Sequence, residues 1–257
     1  MTNFAPTLPD ERRRHLLSLL SSEGKLVITE LSRRLSVSGD TLRRDIQELA
    51  EAGLVQRVHG GALPLAPSTA PYAARRETGL TAKREVAVRA ARLIRPGQTL
   101  LLDGGTTVLE VARHLPTDLR LTVVTPSPPV ATALAEHPGV EIILIGGRLN
   151  PRTMTVTGSS AYRALERLNA DLCLLGVCSL HPELGLTGLD YEEAQLKRLM
   201  VRQAGETAVL LTADKLGTAA PYRVAEAFEL TYLVTEASVP DEVVAPYRQA
   251  GVSVVGA

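Results

Sequence analysis

Seven short apolar runs, TLLLD, LTVVT, VEIILIGG, DLCLLG, TAVLLTAD, LTYLVTE and VSVVG, punctuate the chain from Lys83 to its end. They are apolar throughout, as strands covered on both faces must be. Most are separated by stretches with helical periodicity, such as Thr107 to Leu115, Ser159 to Leu168 and Glu192 to Gln203. Strands alternating with helices imply βαβ crossovers and a mainly parallel sheet. The larger part of the chain is therefore expected to be an α/β domain.

The first sixty residues follow another rule: they are dense in charge and organised at helical spacing. Between the two lies PLAPSTAPYAARRETGLT, with Pro64, Pro67 and Pro71 among small residues, as in a linker. The expected organisation is a small N-terminal domain over residues 1–63, a linker over 64–81 and the α/β domain over 82–257.

Composition excludes several classes. With 45% hydrophobic and 22% charged residues, the chain reads as ordinary soluble globular protein. No run of eighteen apolar residues predicts a membrane span. Met1 to Asp10 lacks the basic-then-apolar order of a signal peptide, so a cytoplasmic location is expected. The formal net charge of zero argues against a histone-like coat and leaves room for a local basic face. The only cysteines, Cys173 and Cys178, support neither a disulfide framework nor a zinc site. His15, His59, His114, His137 and His181 form no nucleophile or metal constellation. No catalytic residue, metal or cofactor is assigned.

In the N-terminal part, Asp10 to Leu20 reads as a helix with Asp10 as N-cap, and Thr29 to Leu35 as a second capped by Thr29. A turn at Ser36-Val37-Ser38, with Val37 as apolar plug and Ser38 as N-cap, leads into a third helix from about Gly39 to Glu51. Its periodicity turns Leu42, Ile46 and Leu49 inward. The opposite arc carries Asp40, Arg43, Arg44 and Gln47, with Thr41 at its edge. Arg and Gln make bidentate contacts with bases in a major groove, so this arc is the candidate recognition face for double-stranded DNA. Asp40 and Arg44 are four apart and either pair or leave Asp40 to accept from a cytosine amine. LVQRVHGGA then reads as a strand ending in a Gly60-Gly61 hairpin turn, a wing with Arg57 and His59 near the sugar-phosphate backbone.

In a parallel sheet, ligands bind beyond the carboxyl ends of the strands. Those ends carry Asp103-Gly104-Gly105-Thr106-Thr107, Thr125-Pro126-Ser127, Gly146-Gly147-Arg148, Gly176 and Thr212-Ala213-Asp214-Lys215. Glycines admit a ligand close to the backbone, and N–H groups at a helix start suit an anion. DGGTT is the candidate phosphate cradle, with Arg148 and Lys215 as cations. It is neither a dinucleotide fingerprint nor a Walker A loop.

The string VSGDTLRRDIQELAEAGLVQRVHGGA resembles the DeoR-family signature, a VSxxTxRRDLxxLxxxG core followed by a wing ending R-x-HGGA. The matching positions are Val37, Ser38, Thr41, Arg43, Arg44, Asp45, Leu49, Gly53, Arg57, His59, Gly60, Gly61 and Ala62. KREVAVRAARLI, LLDGGTT, LTVVTPS, IILIGGRL, Gly158 and LTADK are similar to the family's sensor domain. That domain looks related to ribose-5-phosphate isomerase and to CoA-transferase-like folds. The resemblance implies a winged helix-turn-helix repressor of carbohydrate-metabolism genes, acting as a homo-oligomer (dimer or tetramer) on a DNA operator. It further implies a phosphorylated sugar or similar effector held by Asp103, Gly105, Thr106, Thr107 and Lys215, with Lys83, Glu193 and Lys197 nearby. The chain departs from the family in having Gly104 where serine is frequent and Pro126 where asparagine is; LTADKLG also displaces Lys215 slightly. The alternative is a sugar-phosphate isomerase or CoA-transferase-like enzyme. Asp103, Asp190, Glu193 and Asp214 are its candidate bases, but no paired-carboxylate spacing supports it.

Overall fold

A computed structural model describes residues 8–67 and 70–256. Residues 1–7, which carry most of the reading of the chain's start, lie outside the described residues, as do Ser68 and Thr69 of the expected linker and Ala257.

The N-terminal unit runs α1 (Pro9–Glu23), β1 (Leu26–Val27), α2 (Ile28–Leu35), α3 (Gly39–Glu51), β2 (Gln56–Val58) and β3 (Gly61–Leu63). Two helix starts differ from expectation. Pro9 takes the first position of α1, where a missing N–H is harmless, so Leu8 is the N-cap and Asp10 lies in the first turn. The N-cap of α2 is Val27 rather than Thr29, because Leu26 and Val27 are drawn into pairing with Ala62 and Gly61 of β3. Ser36, at φ +53°, turns the chain, and Val37 packs half-buried against the core. Ser38 caps α3 by accepting the Thr41 N–H at 3.1 Å. Leu16, Leu42, Ile46 and Leu49 interlock beneath it. Burial of each such side chain contributes about 1.5–3 kcal/mol.

The wing turn is shifted by one residue. Val58 pairs with Gly61, so His59 and Gly60 make the turn, with Gly60 at φ +81°. Gly61 is needed for a different reason: a Cβ there would collide with the Leu26 carbonyl of β1.

A short helix, α4 (Tyr72–Glu77), lies within the stretch expected to be linker. The chain continues through α5 (Leu80–Ala91), β4 (Thr99–Leu102), α6 (Thr106–Arg113), β5 (Leu121–Thr125), α7 (Pro128–Leu134), β6 (Val140–Leu144), β7 (Arg148–Asn150), β8 (Thr155–Thr157) and α8 (Ser159–Leu165). It ends with β9 (Ala170–Gly176), β10 (Ser179–His181), β11 (Gly185–Gly188), α9 (Tyr191–Arg202), β12 (Ala204–Leu210), β13 (Tyr222–Ala225), β14 (Tyr232–Val234), α10 (Asp241–Gln249) and β15 (Ser253–Val255).

The seven apolar runs form one parallel sheet in the order β15-β14-β12-β9-β4-β5-β6. Alternate residues serve two cores. Leu101, Cys173, Leu175 and Val209 face α8 and α9, while Leu100, Leu102, Leu172 and Leu174 face α5 and α6. Edge strand β6 is the exception to two-sided burial, with Ile143 45% and Leu144 49% exposed. Strand order reverses between β4 and β9, since β5 and β6 lie to one side and β12, β14 and β15 to the other. Beyond that switch point a β7–β8 hairpin and an antiparallel sheet, β10-β11-β13, cover the strand ends.

Candidate functional site

The outward arc of α3 emerges as drawn from its periodicity: Asp40, Arg43 and Arg44 are exposed, Thr41 and Gln47 half-buried. The expected Asp40–Arg44 pair does not form. Asp40 instead pairs with Arg43 at 2.5 Å, three residues away on the same arc. Arg44 consequently makes no hydrogen bond or ion pair among the described residues. Gln47 is tied on both sides, donating to Glu51 at 2.6 Å and accepting from Arg57 of the wing at 2.5 Å. Arg57 thus links wing to helix, while His59 sits exposed in the turn. Behind the arc, Asp45 is buried and grips Arg12 of α1 at 2.5 and 3.0 Å. Burial works against the Arg12 charge, yet the Asp45 hydrogen bond outweighs it and raises its pKa. This 33-residue link carries no signal in the sequence.

The second site is a cavity of about 310 Å³ at the β4/β9 switch point, where such sheets bind ligands. Its floor is Gly104 and Gly105 after β4 together with Gly176 at the end of β9. Gly105, at φ +104°, is the N-cap of α6 and has no side chain, so the first-turn amides beside Thr106 and Thr107 are uncapped. Asp190, Glu193 and Lys197 enter from α9, Lys215 from the turn after β12, and Asn150, Arg152 and Thr155 from the β7–β8 hairpin.

Asp103 lies beneath the floor, fully buried. Its Oδ2 accepts from Lys197 Nζ and, at 3.0 Å, from the Gly176 N–H, while its Oδ1 has no partner. Lys197 also donates to the Gly176 carbonyl at 2.7 Å. Burial alone would lower the Lys197 pKa, but Asp103 and Glu193 reverse this and hold it above the ordinary lysine value. Glu193 is raised by burial, against the field of Lys197, and its Oε1 is unpartnered. Asp190 caps α9 by accepting the Glu193 N–H at 2.9 Å. Lys215 is lowered, first by burial and then by the fields of Arg75 and Lys197, although Asp214 and Cys178 oppose this. Among the described residues Lys215 has no ion-pair partner.

Three expected residues lie elsewhere. β6 is two strands from β4, roughly 10 Å away, so the Gly147-Arg148 segment does not reach the cavity. Gly147 is pressed against the Thr157 carbonyl at 2.6 Å from where a Cβ would stand, and Arg148 is exposed on the hairpin. Lys83 is buried outside the cavity, where its Nζ donates to the carbonyls of Arg75 and Thr78 and caps α4. Arg75 of α4 lines the cavity, as does Cys178. Arg75 was not legible because nothing in a proline-rich linker signals a helix folded back over strand ends, and Cys178 was not because it lies just past the end of β9 in an apolar run. Among the described residues no group of three or more His, Cys, Asp or Glu side chains is arranged to hold a metal ion.

Two family models cover most of the chain, the DeoR-like helix-turn-helix domain over residues 12–66 and the DeoR C-terminal sensor domain over 79–237. The chain belongs to the DeoR family. This DeoR-family regulator is 36% identical to the HTH-type transcriptional regulator GlpR of Haloferax volcanii, over 96% of its own length and 98% of the relative's. It is 31% identical to GolR of Listeria innocua, over 96% and 98%, and 30% identical to the glycerol-3-phosphate regulon repressor of Escherichia coli, over 90% and 92%. Similar solved structures include ribose 5-phosphate isomerase A of Methanocaldococcus jannaschii (16% identity, 52% of each chain, TM-score 0.38). Another is the eIF-2B of Pyrococcus horikoshii (16% identity, 82% of this chain and 68% of that one, TM-score 0.39). In this DeoR-family chain the glycine at 104 has a local cause: a Cβ there would run into the Thr155 hydroxyl.

Proposed function

We propose that the chain represses transcription by gripping a double-stranded operator with α3 and the wing, and that a phosphorylated sugar or related metabolite in the switch-point cavity sets operator affinity. Ser38, Asp40, Thr41, Arg43, Arg44, Gln47, Arg57 and His59 form the DNA face. Asp103, Gly104, Gly105, Thr106, Thr107 and Lys215 form the effector site, the first by holding Lys197 in place. The protein works as a homo-oligomer on paired half-sites, in the cytoplasm, with residues 64–81 joining the DNA-binding and sensor domains. It is a receptor, not an enzyme.

The observation that carries the effector reading is Lys215, a half-buried lysine with no ion-pair partner among the described residues, lining a cavity that also holds an uncapped helix start. An anion satisfies both at once. One relative is named a glycerol-3-phosphate regulon repressor, which puts glycerol 3-phosphate among the first compounds to try. A thermal-shift screen of phosphorylated sugars and polyols is the direct test, because a ligand bound only by the native state raises its stability. The matching compound should change operator affinity, and Thr106→Ala with Lys215→Ala should abolish that response while leaving DNA binding intact. A double variant that still responds would show the effector site to lie elsewhere. Measurable turnover of pentose or hexose phosphates would favour an enzyme.

A further inference from the structure

The cavity wall includes a residue from outside the α/β domain. Arg75 lies on α4, within the linker, and lines the cavity beside Lys215. Its Nε donates to the Ala70 carbonyl at 3.1 Å and its guanidinium stands 6.0 Å over the Tyr72 ring. Neither contact neutralises it, and no carboxylate pairs with it among the described residues. Three further bonds fix α4 in place, the Tyr72 N–H on the Arg152 carbonyl at 2.8 Å and Lys83 Nζ on the carbonyls of Arg75 and Thr78. Burial lowers the Lys83 pKa most, with Lys215 and Arg75 adding to it against Asp214 and Glu110, and Arg75 adds to the burial that lowers Lys215. Arg75 and Lys215 line the same cavity and repel each other, and an anion bound between them relieves that repulsion.

The turn bearing Lys215 has a second connection to the linker. Thr218 Oγ1 donates to the Lys215 carbonyl at 2.9 Å, and Ala219 exchanges backbone hydrogen bonds of 3.2 Å with Pro64 and Ala66. Pro64 directly follows β3, the last strand of the wing.

We propose that the linker is part of the effector site: Arg75 binds the phosphate-type dianion together with Lys215, and occupancy fastens α4 to the turn that already holds Pro64 and Ala66. The bound anion then reaches the DNA-binding unit through the chain itself, by stiffening the segment that leaves the wing. This rests on the cavity being the effector site.

Inorganic phosphate is a sufficient probe, titrated into the full chain against sodium chloride at equal ionic strength. Thermal midpoints report binding, and the rate of tryptic cleavage after Arg76 reports the linker. In the wild type, phosphate should raise the midpoint saturably and slow that cleavage several-fold. Arg75→Gln should weaken phosphate about tenfold, as loss of a charge-assisted contact does, and should abolish protection of the linker. Arg75→Lys should recover part of both. Lys215→Gln should weaken phosphate comparably. If Arg75→Gln lowers the midpoint but keeps the wild-type phosphate dependence and protection, Arg75 is only a brace for α4 and this inference is overturned. If the wild type itself ignores phosphate, the anion-site reading falls first and this one with it.

Discussion

Two carboxylate–cation pairs are buried among the described residues, and they are finished differently. Asp45 meets Arg12 with both oxygens, and both side chains are buried. Asp103 meets Lys197 with one oxygen, and its other oxygen has no partner under the floor of a cavity. The contrast extends to their surroundings. In the N-terminal unit Arg44, a cation with no hydrogen bond or ion pair among the described residues, is on the outside, where a large polyanion can reach it and water solvates it meanwhile. In the α/β unit two of the buried groups without a hydrogen-bond partner among the described residues, Asp103 Oδ1 and Glu193 Oε1, lie at the cavity, where Lys215 has no ion-pair partner either. A surface that docks on DNA keeps its own interior satisfied. A receptor for a small polar molecule leaves groups unsatisfied where the ligand will sit.

The sharpest way to break this comparison is Asp45→Ala. Removing the carboxylate from this buried ion pair should cost about 3–5 kcal/mol, seen as early melting of the N-terminal helices in urea; a loss below about 1 kcal/mol would make the two pairs equivalent. Next, Arg44→Ala should weaken a cognate operator by about 1–3 kcal/mol with the fold unchanged. Equal operator affinity would mean that Arg44 is not a contact. Gly104→Ala should cost about 1–3 kcal/mol by overpacking against Thr155, and Thr155→Ala in the same chain should return most of it, by thermal unfolding. Additive losses would remove the steric cause.

The smallest effect concerns pH. Burial raises the Glu193 pKa, so the folded protein keeps a proton that the unfolded chain releases. Stability should therefore fall as pH rises from the ordinary glutamate value through the raised one. Glu193→Gln should flatten that slope and change neutral stability by under about 1 kcal/mol. A slope that persists in the variant would assign it to another group.

What the sequence disclosed divides along similar lines. The seven sheet strands were legible because burial on two faces forces continuous apolar runs, and the face of α3 because 3.6-residue periodicity separates Leu42, Ile46 and Leu49 from Arg43 and Arg44. The DGGTT loop was legible as a strand-to-helix junction. The hairpin RLN/TVT and the strands SLH and GLTG were not, being too short for any period to show. Strand ends alone also pointed to Gly147 and Arg148, because the order of strands across the sheet is a tertiary fact. Arg75 is the clearest loss, since its position depends on α4 folding back over the sheet.

The separation of faces on α3 has an evolutionary corollary. No hydrogen bond among the described residues ties Arg43 or Arg44 to the core or the wing, so the fold leaves them free to serve DNA, and their place in the family signature is set by what they meet outside the protein. Gln47 lacks that freedom, because it shares a hydrogen bond with Arg57. With Arg57 fixed in the family signature, position 47 should be restricted to side chains that can accept from a guanidinium, a constraint written by one side-chain contact between helix and wing.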